Sequence, residues 1–313
     1  MIDSHCHLAD AIFAPDLADV VGRARAAGVQ RAMCILGAGD TTESAAAVEV
    51  RRLWPEIRVA VGVHPHHASQ FQGRAADAAT VVSAGIITEG ASAIGEIGLD
   101  YHYDFSPKDT QQTVFNVQVS LARKLDLPIV IHTREAADDT FRVLRVAGQS
   151  VVRGIFHCFT GDVVMARKAL DLGFYISISG IVTFPNSADI RAVAAFVPAD
   201  RLLIETDSPY LAPMPYRGKR NEPAFVARVL ETVAGLRRTG IGPLGEQLVF
   251  EQAEFGVAAH VVHHHQHVAC AYPLPIPYLD LAHDAALAVL HGLALQLHLD
   301  AGAGNHRTGN GRE

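Results

Sequence analysis

Short apolar runs alternate with longer segments of helical period from the start of the chain to about residue 240. Residues 2–7, 31–36, 58–63, 93–99, 128–132, 154–157, 174–178 and 201–205 are too short for helices, and all after the first are mostly apolar, the pattern of strands buried on both faces. Between them, residues 15–27, 41–54, 73–83, 108–125, 135–146, 163–172 and 188–196 place apolar positions at helical spacing. An eighth such segment, 222–238, follows the last strand. Pro15 and Pro107 stand at helix starts, where a missing N–H costs little, and Asp126-Leu127-Pro128 stops the fourth helix before its strand. Eight strands alternating with eight helices predict a parallel α/β architecture, and eight is the number that closes a barrel. An open doubly wound sheet is the alternative. It usually carries a Gly-rich phosphate loop after its first strand, and none follows His7. The expected fold is therefore a (β/α)8 TIM barrel over residues 1–239, with an atypical extension over 240–313.

The extension breaks the pattern. Lys is absent after Gly240, and nine of the 17 histidines fall at His260 or later, including His263-His264-His265-Gln266-His267. The barrel already offers a full set of ligands, so this tract reads as composition rather than as a metal site. Residues 281–299 are apolar, but Asp284 and three histidines interrupt them, and an Asp near the centre of a membrane helix costs ~3 kcal/mol. No membrane span is expected.

Composition narrows the classes further. At 49% hydrophobic, the 313-residue chain can fill a large core, and a net charge of -7 provides no global field to attract nucleic acid or acidic lipid. The four cysteines form no C-x-x-C pair and no disulfide framework. They read as buried thiols in a reducing compartment, and with no signal peptide ahead of Ile2-Asp3 the expected location is the cytoplasm.

The chemistry lies at the strand ends. His5 and His7 are two apart on the first strand and so share a face, while Cys6 points away. A lone His-x-His is weak. Glu96, His132, His157 and Asp207 each close or follow a later apolar run, however, and in a parallel barrel such positions converge on one rim. A two-metal reading assigns His5, His7 and Asp207 to one ion, His132 and His157 to a second, and Glu96 as the bridge. Imidazole-rich ligation favours Zn, Mn, Co or Fe over Mg, without fixing the metal. Asp207 is also the expected general base, with Glu96 beside it in the catalytic set. Glu205 is either a partner to a ligand or a barrel-interior carboxylate bonded to a neighbour. His64, after the third strand, could meet a substrate phosphate or anchor a ligand. Arg134 and Arg217 bring cations to the same end, and Tyr101, Tyr103 and Phe105 offer surfaces for bases or cover the rim.

Six stretches together resemble the TatD-type deoxyribonuclease family of amidohydrolase-like metal-dependent hydrolases. They are Ile2-Asp3-Ser4-His5-Cys6-His7-Leu8, Gly62-Val63-His64-Pro65, Ile94-Gly95-Glu96-Ile97-Gly98-Leu99-Asp100-Tyr101, Pro128-Ile129-Val130-Ile131-His132-Thr133-Arg134, His157-Cys158-Phe159-Thr160-Gly161 and Glu205-Thr206-Asp207-Ser208-Pro209-Tyr210-Leu211. The resemblance spans about residues 1–238 and implies a (β/α)8 barrel, divalent metal ions and hydrolysis of phosphodiesters in DNA, trimmed from the 3′ end. His5, His7, Glu96, His132, His157 and Asp207 match the family's metal positions. Family members typically close with one more short helix, and from Gly240 onward this chain does not match it; a frameshifted reading frame or a divergent extension would each produce such a tail. Other readings are hydrolysis of another ester or amide, such as an aminoacyl-tRNA, and a metal-binding protein without activity. A monomer suffices for any of them.

Overall fold

The computed structural model describes residues 1–242 and Leu244. The histidine tract, Cys270 and the apolar stretch 281–299 lie outside the described residues. Among the described residues the elements run β1 (Ile2–Cys6), α1 (Leu17–Ala26), β2 (Arg31–Gly37), α2 (Thr41–Leu53), β3 (Arg58–Gly62), α3 (Ala75–Glu89), β4 (Ala93–Asp100) and α4 (Lys108–Leu125). They continue with β5 (Ile129–Arg134), α5 (Ala137–Val146), β6 (Gly154–Phe156), α6 (Val163–Asp171), β7 (Tyr175–Ile178), α7 (Ala188–Phe196), β8 (Leu202–Ile204) and α8 (Val226–Arg237).

Every strand pairs in parallel with its neighbour in sequence, giving the order β1-β2-β3-β4-β5-β6-β7-β8. The seam between β8 and β1 closes through the backbone just beyond β8. Asp207 N–H donates to His5 O at 2.9 Å and His7 N–H to Ser208 O at 2.7 Å. Asp3 reinforces this seam: its Oδ1 accepts from Thr206 N–H (2.8 Å) and its Oδ2 from the Thr206 hydroxyl (2.5 Å). The predicted (β/α)8 barrel is thus the observed architecture.

The strands are apolar over most of their length because both faces are covered. Ile94, Ile97, Leu99, Ile129, Ile131, Phe156, Ile176, Ile178 and Ile204 are all fully buried. Each such side chain contributes about 1.5–3 kcal/mol relative to exposure. The helices bury one stripe each, as α4 does with Val114, Phe115, Gln118, Val119 and Ala122.

Element ends shift by a few residues from expectation, and one helix by more. The third helical segment is expected to end at residue 83, yet α3 runs on to Glu89. Gly85 is there for contact rather than for a stop: a Cβ at this position would lie 2.7 Å from Val61 Cγ1, so its absence lets the helix approach β3. The eighth helical segment begins later than expected, with a 3-10 turn (Pro223–Phe225) leading into α8. Among the described residues no helix is long and apolar enough to cross a membrane.

Candidate metal centre

The first half of the centre follows from strand alternation. On β1, Cys6 turns outward with Sγ 3.4 Å from Met33 O, while the buried His5 and half-buried His7 turn to the barrel mouth with their Nε2 atoms 3.2 Å apart. The seam then delivers a carboxylate. Asp207 adopts a left-handed conformation (φ 57°), which Asp tolerates better than most residues, and its Oδ1 lies 3.6 Å from His5 Nε2 and 3.4 Å from His7 Nε2. Two ligands bound at ~2.1 Å in a tetrahedral shell stand ~3.4 Å apart, so these spacings fit the edges of one ion's shell.

Glu96, on β4 and only 6% exposed, divides its oxygens between two groups of imidazoles. Its Oε2 faces His5 at 3.5 Å and His7 at 4.0 Å. Its Oε1 faces His157 Nε2 at 2.6 Å, His132 Nδ1 at 2.8 Å and His64 Nε2 at 3.5 Å. Burial alone would push this carboxyl up, but His157, His64 and His132 hold it well below the usual range, so it is an anion. Asp207 is likewise held down, against burial, by His7 and His5.

The backbone of β4 makes this approach possible. Gly98 has φ 144°, and a Cβ there would fall 1.9 Å from His132 O. Only a glycine lets β4 lie against β5 at the height of His132.

The imidazoles are oriented from behind by two carboxylates. Asp100 Oδ2 pairs with His132 Nε2 at 3.1 Å and with His66 Nε2 at 2.9 Å, while its Oδ1 accepts from the backbone N–H groups of His102 and Tyr103. This leaves His132 Nδ1 to face Glu96. Glu205, fully buried in the barrel interior, accepts from Cys158 N–H at 2.6 Å and brings Oε1 to 3.4 Å from His157 Nδ1. His5 stacks on His157 with ring centroids 3.9 Å apart. Their two Nδ1 atoms and Glu205 Oε2 are buried without a hydrogen-bond partner among the described residues. His64, pushed down to about 4 by burial and by its neighbours His132 and His66 despite Glu96, is a neutral imidazole; its Nδ1 accepts the His66 backbone N–H at 3.2 Å, which leaves Nε2 toward Glu96.

The structure therefore brings His5, His7, Glu96, His132, His157 and Asp207 into one cluster. It adds His64, which falls in the same ligand-sized group as Glu96 and His132. His5, His7 and Glu96 form another such group, so the donor set fits divalent metal ions. Glu205 combines both sequence readings: it is a barrel-interior residue, and it faces a cluster imidazole. Arg134 lies at the rim with its guanidinium 4.9 Å from the Tyr103 ring, and Arg217 lies over Phe184 at 4.6 Å, both outside the cluster. Asp100 and His66 carry roles that the sequence reading did not assign. Alternation could have found Asp100, since Glu96, Gly98 and Asp100 share one face of β4.

This constellation on a barrel has relatives. The family model for TatD related DNase matches residues 2–250. The chain belongs to the TatD-related DNase family. It is 41% identical over 237 residues to the Bacillus subtilis protein YabD, described as an uncharacterized metal-dependent hydrolase, covering 76% of this chain and 91% of that one. It is 37% identical over 239 residues to the Salmonella typhimurium 3'-5' ssDNA/RNA exonuclease TatD, covering 75% of this chain and 90% of that one. Among solved structures, the Escherichia coli TatD homolog YjjV superposes with a TM-score of 0.72 at 27% identity, over 80% of this chain and 95% of that one. This TatD-family chain is thus an enzyme of a metal-dependent hydrolase family.

Proposed function

We propose that the chain hydrolyses phosphodiester bonds in DNA, removing nucleotides from the 3′ end, with two divalent ions held at the barrel mouth. The observation that carries this reading is the divided carboxylate of Glu96, with one oxygen toward His5 and His7 and the other toward His132, His157 and His64. His5, His7 and Asp207 would hold one ion, His132 and His157 the other, and Glu96 both. Such a pair would lower the pKa of a water and neutralise charge on the phosphoryl and leaving oxygens. Asp207, an anion beside the first group, takes the proton of the attacking water. His64 closes the second group on the side of β3, while Asp100 and Glu205 keep the imidazoles aimed. Arg134 and Arg217 supply cations for the substrate backbone from the rim.

Supporting the choice of nucleic acid, the Salmonella relative is described as an ssDNA/RNA exonuclease. Every group in the cluster comes from one chain, so a monomer suffices. The free thiols of Cys6, Cys34 and Cys158 support a reducing, cytoplasmic setting. The test is to reconstitute the full chain with Zn, Mn, Co or Mg and incubate it with end-labelled single- and double-stranded DNA, RNA and aminoacyl-tRNA. Stepwise shortening of DNA from the 3′ end is the expected result. Release of the amino acid with the DNA left intact would overturn the reading in favour of carboxyl-ester hydrolysis.

A further inference from the structure

Beside the cluster, the loop between β4 and α4 turns two large rings to solvent. Tyr103 is 42% exposed and Phe105 60%, and they stack on each other with centroids 5.3 Å apart and planes at 29°. The loop that carries them is tied down at both ends. Asp100 Oδ1 accepts from the N–H groups of His102 (2.9 Å) and Tyr103 (3.0 Å). The Gln111 amide donates to Asp100 O and Ser106 O, both at 2.9 Å, and the Ser106 hydroxyl donates to His66 O at 2.9 Å. The rings are thus presented on an ordered backbone, which lowers the entropy lost when a ligand covers them. Tyr101, by contrast, is engaged in the rim, donating to Asp139 and accepting from Gln112.

The pair is continuous with the metal centre. His66 packs its ring against both, 5.5 Å from Tyr103 and 4.7 Å from Phe105, and its Nε2 shares Asp100 Oδ2 with His132. Arg134 covers the Tyr103 ring, and among the described residues its guanidinium makes no ion pair and no hydrogen bond. The nearby carboxylates are occupied, Glu135 by His102 and Asp139 by Tyr101, Gln112 and Arg142. One imidazole away from the reacting centre, the surface therefore offers the exposed Phe105 ring, backed by Tyr103, and a cation held by a ring contact alone. A nucleotide presents the complementary pair, a π face and a phosphate.

We propose, resting on the phosphodiesterase reading, that Phe105, backed by Tyr103, stacks an unpaired base next to the scissile phosphate and that Arg134 holds a neighbouring phosphate. A base inside a duplex has both faces already stacked, so this platform selects strands whose ends are single or frayed.

The test compares steady-state hydrolysis of a single-stranded oligonucleotide with that of the same oligonucleotide carrying abasic residues at its 3′ end. The wild-type enzyme is expected to show a KM about tenfold lower for the base-bearing strand. In the Tyr103→Ala, Phe105→Ala double variant that preference disappears while kcat is retained, and the conservative Phe105→Trp variant keeps it. Arg134→Gln raises KM for both strands alike and flattens the dependence on salt. The rings are exposed, so the fold is unaffected, which an unchanged Tm verifies. A double variant that keeps the wild-type KM and the wild-type preference overturns the platform alone. A wild-type enzyme that hydrolyses neither strand overturns the phosphodiesterase reading and the platform with it.

Discussion

Asp100 Oδ2 meets His132 Nε2 at 3.1 Å, and this contact decides which nitrogen His132 offers to Glu96. Burial works against ionisation of Asp100, yet bonds from His132, the Tyr103 N–H and His66 hold its carboxyl far below the usual range. Asp100→Asn should therefore weaken metal binding at the His132 group about 10–100-fold, the usual effect of removing an outer carboxylate, and leave the His5 group unchanged. Isothermal titration with Zn or Mn, resolving a strong and a weakened site, checks this. Two unchanged sites would show that His132 needs no such support.

Glu96→Ala removes the carboxylate that turns one oxygen to His5 and His7 and the other to His132, His157 and His64. Metal content is expected to fall below two ions per chain, measured by elemental analysis after dialysis. Full occupancy in that variant would refute the bridge.

For Asp207→Asn, turnover should fall by about 10²–10⁴-fold, the scale of lost general-base catalysis, with metal largely retained. Single-turnover hydrolysis of labelled DNA gives the rate, and near-wild-type values would remove Asp207 from the base role.

Protons compete with metal at this cluster. Burial opposes the charge on His7 and His132, but Asp207 holds the first proton in place, and Asp100 and Glu96 hold the second, so both imidazoles titrate above the ordinary value. A raised pKa means that a proton stays on the imidazole to a higher pH than usual and must be displaced by the metal. Affinity should thus drop as pH falls through the neutral range and recover as it rises. Titrations in buffers of different ionisation enthalpy should also report proton release on binding. Affinity independent of pH would contradict this.

Gly98→Ala places a methyl group 1.9 Å from His132 O in a backbone conformation that side chains avoid. The expected loss is about 3 kcal/mol or more, read from urea unfolding, with His132 displaced. A loss below about 1 kcal/mol would mean that β4 and β5 can part without cost.

The barrel was legible because eight buried strands leave a repeating apolar signature that local reading detects. Strand alternation also made the His5–His7 pair readable, and the strand-end rule grouped Glu96, His132, His157 and Asp207. Positions set by long-range packing were less legible. The third helix reads as ending at residue 83 until Gly85 is found against Val61, and His64 reads as a phosphate contact or an anchor until Glu96 Oε1 is found 3.5 Å away. Asp100 was within reach of the alternation argument. His66 was not, because its partner comes from a different strand and its role depends on a 3-10 turn (Pro65–Phe71) that carries no periodic signal.

The seam between β8 and β1 also governs when the enzyme can become active during synthesis. Asp3 and Thr206 are 203 positions apart, and their bonds, with those of Asp207 and His7, form only when the last strand meets the first. A nascent chain that ends before residue 207 carries the His5–His7 pair without the Asp207 carboxylate. Metal-dependent hydrolysis is then withheld from the unfinished polypeptide and begins only once the ring of strands is complete.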